Sequence, residues 1–280
     1  VLNTKILVAT DFSSRADRAI DRALALCART GKALRLVHAL DFMDAENADW
    51  ASLDKRMREC VGDTECDVEF AYPEGSPPHA IASASKADDV ELLVVGPARY
   101  NSLGDFFLGT AVDYVLRNTK KPVLVVKQRP RSSYRHIIAG TDFSADSKYA
   151  IITAARMFPD AQVHVVHAWH VPFEGFQRDS YVAEEVEAHE QKAMETFMTA
   201  LAEAEPSLSN ATSALGRGGT HKTITREFEK RCDLASEGLV VLGSHGQSGF
   251  RQATLGSVTS DLLRSLKPDI LVINTDNATS

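Results

Sequence analysis

Cysteine is scarce and scattered in this chain. Cys27, Cys60, Cys66 and Cys232 are its whole supply, with no CxxC pair and no zinc-like spacing, which argues against a thiolate metal site and predicts buried, reduced thiols. Positive charge is also in deficit. Thirty-one Lys and Arg against 38 Asp and Glu leave a formal charge of -7, which gives no reason to expect DNA, RNA or an anionic membrane as a bulk partner. Long apolar runs are missing. The opening VLNTKILVAT has no basic segment leading into an extended apolar core, so neither a signal peptide nor a membrane span is read there, and the cytoplasm is the default expectation. No GK[ST] ending and no tight dinucleotide fingerprint occur, and no fixed trio resembles a nucleophile, its base and an orienting acid. What is present, 280 residues with 44% hydrophobic and 25% charged, suits a globular chain long enough for one large or two ordinary domains.

Short β-branched runs alternate with helical periodicity along the first half. Lys5 to Ala9 reads as a strand and empties into Thr10-Asp11-Phe12-Ser13, whose polar residues can cap a helix. Ala16 to Thr30 then carries an apolar stripe of Ala16, Ala19, Ile20, Ala23, Leu24 and Cys27, and Gly31 stops it. Further strands are expected at Leu34 to Ala39, Asp67 to Ala71, Leu92 to Val95 and Val123 to Val126. A single acidic helix is expected over Asp44 to Val61, with Trp50, Leu53 and Met57 as its apolar side, and a short helix over His79 to Lys86. Five strands with intervening helices make a complete doubly wound unit.

After the polar stretch QRPRSS the chain starts again. HIIAGTDFSADSKYAI repeats KILVATDFSSRADRAI, placing Asp142 opposite Asp11, and VHVVHAW repeats LRLVHAL, placing His167 opposite His38. Recurrence of several blocks in one order marks an internal repeat. The halves are therefore read as domains over 1–130 and 134–280. If VHVVHAWH is a strand, His164 and His170 share one face and His167 takes the other, which argues against a three-histidine metal site. Tyr149 to Phe158 and Tyr181 to Ala204 read as helices. The face Ala183, Val186, Glu190, Ala193, Phe197 and Leu201 of the second contains one polar exception, and ALGRGGTHKTI leads to another helix through Phe228 and Cys232.

The stretch VVLGSHGQSGFRQATLGSVT, Val240 to Thr259, has the layout of a phosphate site. A buried strand ends in Gly243, Gly246 follows, and Gly256-Ser257 opens a helix whose first amides and dipole favour an anion. Ser257 and Thr259 add hydroxyls. Asp142, ending the first strand of its copy, has two open readings, a ligand for ribose, base or hydrated magnesium and a helix cap or turn stabiliser. The first copy keeps Gly96 and Gly109-Thr110 but has Arg99 where the second has Gly246, which predicts a silent or altered site. Trp169, Phe173 and Phe176 could instead close the crevice.

Two copies of a TDFS strand, the VHA strand, LVVLG followed by G-x-x-G-nine-G-S, and a final VLVV-type strand resemble the universal stress protein family in its tandem form. The resemblance covers nearly the whole chain. It implies an α/β fold of two Rossmann-like open parallel five-stranded sheets of order 3-2-1-4-5, flanked by helices, the halves mimicking the family's dimer through their last strands. It also implies ATP, with Mg²⁺ or Mn²⁺, in the second domain. The implied site is Asp142, Ala168, Gly243, Gly246, Gly256, Ser257, Val258 and Thr259, with the phosphates on Gly246, Gly256, Ser257 and Thr259, and adenine and ribose near Asp142, Ala168 and Gly243. A stress-response regulator with at most weak ATPase activity is the function implied. The alternative is a non-nucleotide scaffold or small-ligand stress protein, and the partners would be regulatory proteins or a second copy of the chain.

Overall fold

The computed structural model describes residues 4–97, 110–170, 180–244 and 255–274. Its first half runs β1 (Lys5–Ala9), α1 (Ser14–Thr30), β2 (Ala33–Val37), α2 (Phe42–Glu46), α3 (Trp50–Val61), β3 (Val68–Ala71), α4 (Pro77–Ala84), β4 (Val90–Val95), α5 (Thr110–Asn118) and β5 (Val123–Val125). The second half follows as β6 (His136–Gly140), α6 (Ala145–Met157), β7 (Gln162–Trp169), α7 (Ser180–Ala204), β8 (Thr212–Arg217), α8 (Thr220–Glu229), β9 (Gly238–Gly243), α9 (Ser257–Ser265) and β10 (Asp269–Ile273).

The expected strand order 3-2-1-4-5 holds within each half, but the two sheets are not separate. All ten strands form one sheet, β3-β2-β1-β4-β5-β10-β9-β6-β7-β8, joined where β5 and β10 pair antiparallel with Leu124 opposite Leu271. The physical reason lies in the last strands. Val123, Leu124 and Val125, like Ile270, Leu271 and Val272, are apolar on both faces and bury almost completely, so each needs a neighbour along its open edge. Pairing them removes two exposed edges at once.

Each face of the sheet is covered by helices. Ile6 and Val8 point into a core with Ala19, Ile20 and Ala23 of α1, whereas Leu7 points to the opposite core with Ala82 of α4 and Leu116 of α5. That is the two-residue alternation of a strand buried on both sides. Ser13 and Ser144 cap α1 and α6 through their hydroxyls, so α6 begins before the expected Tyr149.

Three local expectations are corrected. The acidic segment is two helices, because Asp49 accepts from the Ser52 amide and starts α3 afresh, and Trp50 is half exposed, meeting Tyr72 edge-on. β8 is a strand without the sequence signature of one, since TSALGR lacks a β-branched apolar run. Cys27 and Cys232 are buried, but Cys60 and Cys66 only partly so; burial pushes the Cys27 thiol up to about 12.

A buried polar knot fastens the halves. The Asp269 carboxylate accepts from the Lys127 and Gln128 amides at 2.7 and 2.8 Å and from the Tyr134 hydroxyl at 2.6 Å. Arg22 of α1 lies with its guanidinium 4.1 Å from the Tyr134 ring centre, donates to the Ser132 and Ser236 carbonyls and stands 3.6 Å from Asp269. Lys127 donates to the carbonyls of Leu263 and Leu266, closing the C-terminus of α9.

Candidate functional site

The repeated TDFS and VHA blocks fold into the same small device twice. Thr10 and Thr141 accept the amides of Phe12 and Phe143, and Asp11 and Asp142 accept the amides of Ser13 and Ser144. The two phenylalanines take the left-handed region, φ 58° and 64°, uncommon for a bulky residue. Each ring lies 4.2 Å from the imidazole of His38 or His167, whose Nδ1 faces the carbonyl of Thr10 or Thr141 and must donate to it. Aromatic packing and this bond hold the turn in place. The repetition of these histidines is visible in the sequence, whereas their partnership with phenylalanine emerges only from the packing.

In the second half this device forms one wall of a cavity of about 260 Å³. It sits between β6 and β9, where the chain, having run outward through β7 and β8, crosses back to the other side of β6. Such a switch point splays the loops beyond the carboxyl ends of neighbouring strands and opens a crevice there. Asp142 lines it from the turn after β6, Ala168 from β7, Gly243 from β9, and Gly256, Ser257, Val258 and Thr259 from the N-cap and first turn of α9. Gly246 lies outside the described residues, as do Arg99, Gly109, Phe173 and Phe176. Seven of the eight sequence-derived positions thus meet around one space.

The chemistry of the cavity comes from what its helix ends leave open. Gly256 is the N-cap of α9 and Gly219 that of α8, and neither offers a side chain to the first turn. Thr220, the first residue of α8, also lines the cavity; the GRGGT spacing was the available signal for it. Unpaired first-turn amides favour a negatively charged ligand. In the first half the corresponding α4 begins Pro77-Pro78, and proline has no amide hydrogen to offer. There a Cβ added to Gly96 would also meet the Arg15 carbonyl at 3.1 Å, so α1 packs hard against that strand end.

The site residues divide by engagement. Thr259 is buried and donates its hydroxyl to the Gly243 carbonyl at 2.9 Å, bracing the two ends of the glycine loop. Its hydroxyl hydrogen is thus directed to the chain and not into the cavity. Ser257 is exposed at the first turn. Asp142 accepts both the amide and the hydroxyl of Ser144 through Oδ1, satisfying the turn-stabilising reading. Trp169 ends β7 and is buried, so it belongs to the core and not to a lid. Glu190, the polar exception on α7, places its carboxylate 3.4 Å from His167 Nε2.

Among the described residues no group of three or more His, Cys, Asp or Glu could hold a metal ion. His164 and His167 do point to opposite faces. His164 Nδ1 meets the Thr212 hydroxyl at 2.7 Å and its Nε2 stands 3.4 Å from Glu227 of α8.

Comparison with known proteins follows the same division into halves. The sequence pattern of the Universal stress protein family matches residues 3–127 and again residues 133–274. The chain belongs to the universal stress protein family. It carries two tandem units. A universal stress protein of Methanocaldococcus jannaschii is 24% identical over 158 residues, spanning 46% of this chain and 98% of the relative. A universal stress protein from Archaeoglobus fulgidus superposes with a TM-score of 0.70 at 16% identity, over 98% of this chain and 99% of that one. A functionally unknown protein from Pseudomonas aeruginosa gives 0.67 at 21% identity, over 98% and 93%. At these identities the two structures speak for the fold, which is shared from end to end. No helix among the described residues is long and apolar enough to cross a membrane.

Proposed function

We propose that the cavity of the second half binds an adenine nucleotide, ATP in the first instance, and that the protein acts as a nucleotide-binding stress regulator with little or no hydrolysis. The observation that carries this reading is the meeting of Asp142, Ala168, Gly243, Gly256, Ser257 and Val258 around one space at the switch point of the sheet, bounded by two helix starts that lack side-chain caps. The phosphates would rest on the amides and hydroxyl at Gly256 and Ser257, together with Gly246. The sugar and base would lie toward Asp142 and Ala168. Asp142 is the single carboxylate among the described lining residues. Mg²⁺ or Mn²⁺ would therefore be held chiefly by phosphate and water. Weak hydrolysis fits the engaged state of the nearest bases, since Asp142 accepts from Ser144 and His167 donates to Thr141.

Calorimetric titration of nucleotide-stripped protein with ATP, with and without Mg²⁺, tests the reading. One site per chain is expected, abolished by Gly246→Arg, which copies the arginine of the first half into the second. Ser257→Ala should weaken binding by about 1.5–3 kcal/mol, the worth of one hydrogen bond to a charged group, with the unfolding midpoint unchanged. Failure of ATP, ADP and AMP to bind at millimolar concentration would overturn it.

A further inference from the structure

The two halves treat the phenylalanine of TDFS differently on its outer side. In the first, the Arg56 guanidinium lies 3.8 Å from the Phe12 ring centre, and the adjoining surface carries Asp17, Asp21 and Glu59. A cation already covers that ring. In the second, Phe143 opens onto a groove of about 440 Å³ between α6 and α7, within the size range of small-molecule pockets. The groove is floored by Phe143, Ala145, Ala193, Phe197 and Ala200, with the two phenylalanine rings edge-on at 5.6 Å. Alanines beside the paired rings leave an apolar trough.

Charge around this trough is sorted. Helix α7 contains six glutamates, one lysine, one histidine and no arginine. The lysine and the histidine, Lys192 and His189, both fall on the stripe that lines the groove, and none of the six glutamates does. From the facing helix comes Lys148, which stands where the first copy has Asp17, 131 positions earlier. Lys148, His189 and Lys192 have no ion-pair partner among the described residues. A helix face that served only solvation would mix its charges or pair them at i,i+4 spacing. Here two unpaired lysines and a histidine rim an apolar floor, and the lysines complement a ligand with an apolar body and an anionic head.

The geometry points to a groove that binds a slender amphiphilic carboxylate, a medium-chain acyl anion, with its chain along the alanine floor and its head held by Lys148 and Lys192. The site is separate from the nucleotide cavity and does not depend on nucleotide binding there. Titration calorimetry of the full chain with decanoate, below the concentration at which it forms micelles, tests this. Saturable one-to-one binding is expected, at least tenfold weaker after Lys148→Glu with Lys192→Glu, and absent after Ala193→Trp, which fills the trough. Decyltrimethylammonium, with the same chain and the opposite charge, should not bind. The proposal is overturned by no saturable uptake of decanoate, by uptake that ignores both sets of substitutions, by equal uptake of the cationic amphiphile, or by association with decanoate-containing vesicles alone. Should a variant fail to fold, the contrast between the two amphiphiles on the natural chain still decides.

Discussion

Individual side chains in the second half carry a pH dependence of known sign. Burial pushes His164 down to about 4, with Arg231 adding to the effect and Glu227 opposing it. Its folded value lies below the unfolded one, so between about pH 6.5 and 4 the unfolded chain takes up a proton that the folded chain refuses. Stability therefore falls as pH drops through that window. Burial alone would raise Glu227, but Lys230, Arg231 and Arg226 outweigh it and hold the carboxyl at about 2. Its contribution is present above about pH 4.5 and lost as pH falls toward 2. Urea unfolding of His164→Gln measured from pH 7 to 4 should show a flatter decline than the natural chain, by at most about 1.4 kcal/mol per pH unit. Parallel profiles would show that His164 does not titrate in this way.

The functional elements are strand ends and helix starts, and their braces differ from their ligand groups. Thr259 ties the first turn of α9 to the end of β9, whereas Ser257 faces outward beside it. Thr259→Val should cost about 1 kcal/mol of stability, the net value of a buried hydrogen bond together with the stranded Gly243 carbonyl, and should weaken nucleotide binding as well. The contrast with Ser257→Ala, affinity without stability, separates the two roles in one pair of denaturation and titration experiments. A Thr259→Val protein with unchanged unfolding would remove the brace. The same logic explains the TDFS device, in which threonine, aspartate and serine each satisfy a backbone amide within three residues. Repetition of that block reflects a turn that both halves need, and in the second half it stands beside the glycine-capped starts of α8 and α9.

For the molecule as a whole, the central question is what makes two units one body. The antiparallel β5–β10 pair supplies continuity, and the knot of Arg22, Lys127, Tyr134 and Asp269 supplies polar matching at the seam. Burial pushes Asp269 above the ordinary carboxylate range while Tyr134 and Arg22 pull it back, and burial brings Lys127 down to about 7. Removing the carboxylate strands the Arg22 charge, two amides and a phenol in a dry seam. Asp269→Ala should therefore destabilise the chain by about 3–5 kcal/mol, read as a lower urea midpoint. A loss below about 1 kcal/mol would show that the seam does not depend on the knot.

Much of this was legible in order along the chain. Strand runs, the serine caps and the duplicated TDFS, VHA and glycine-loop blocks reveal an α/β tandem repeat, because local periodicity and capping are properties of neighbouring residues. The strand-to-helix grammar around Asp142, Gly243, Gly256 and Ser257 was legible as well, and the structure gathers these residues around one cavity because the strand order sets the ends of β6 and β9 side by side. Three things needed the tertiary structure. β8 forms despite weak strand character because the open edge of β7 supplies its hydrogen bonds. The single ten-stranded sheet depends on pairing between segments about 147 residues apart. The engagement of Thr259 with Gly243, of Phe143 with His167, and of α7's sorted charges with an open trough arises only when distant segments are packed together. Sequence alone determined the units and their order; long-range packing decided which polar groups are satisfied internally and which are left to meet a ligand.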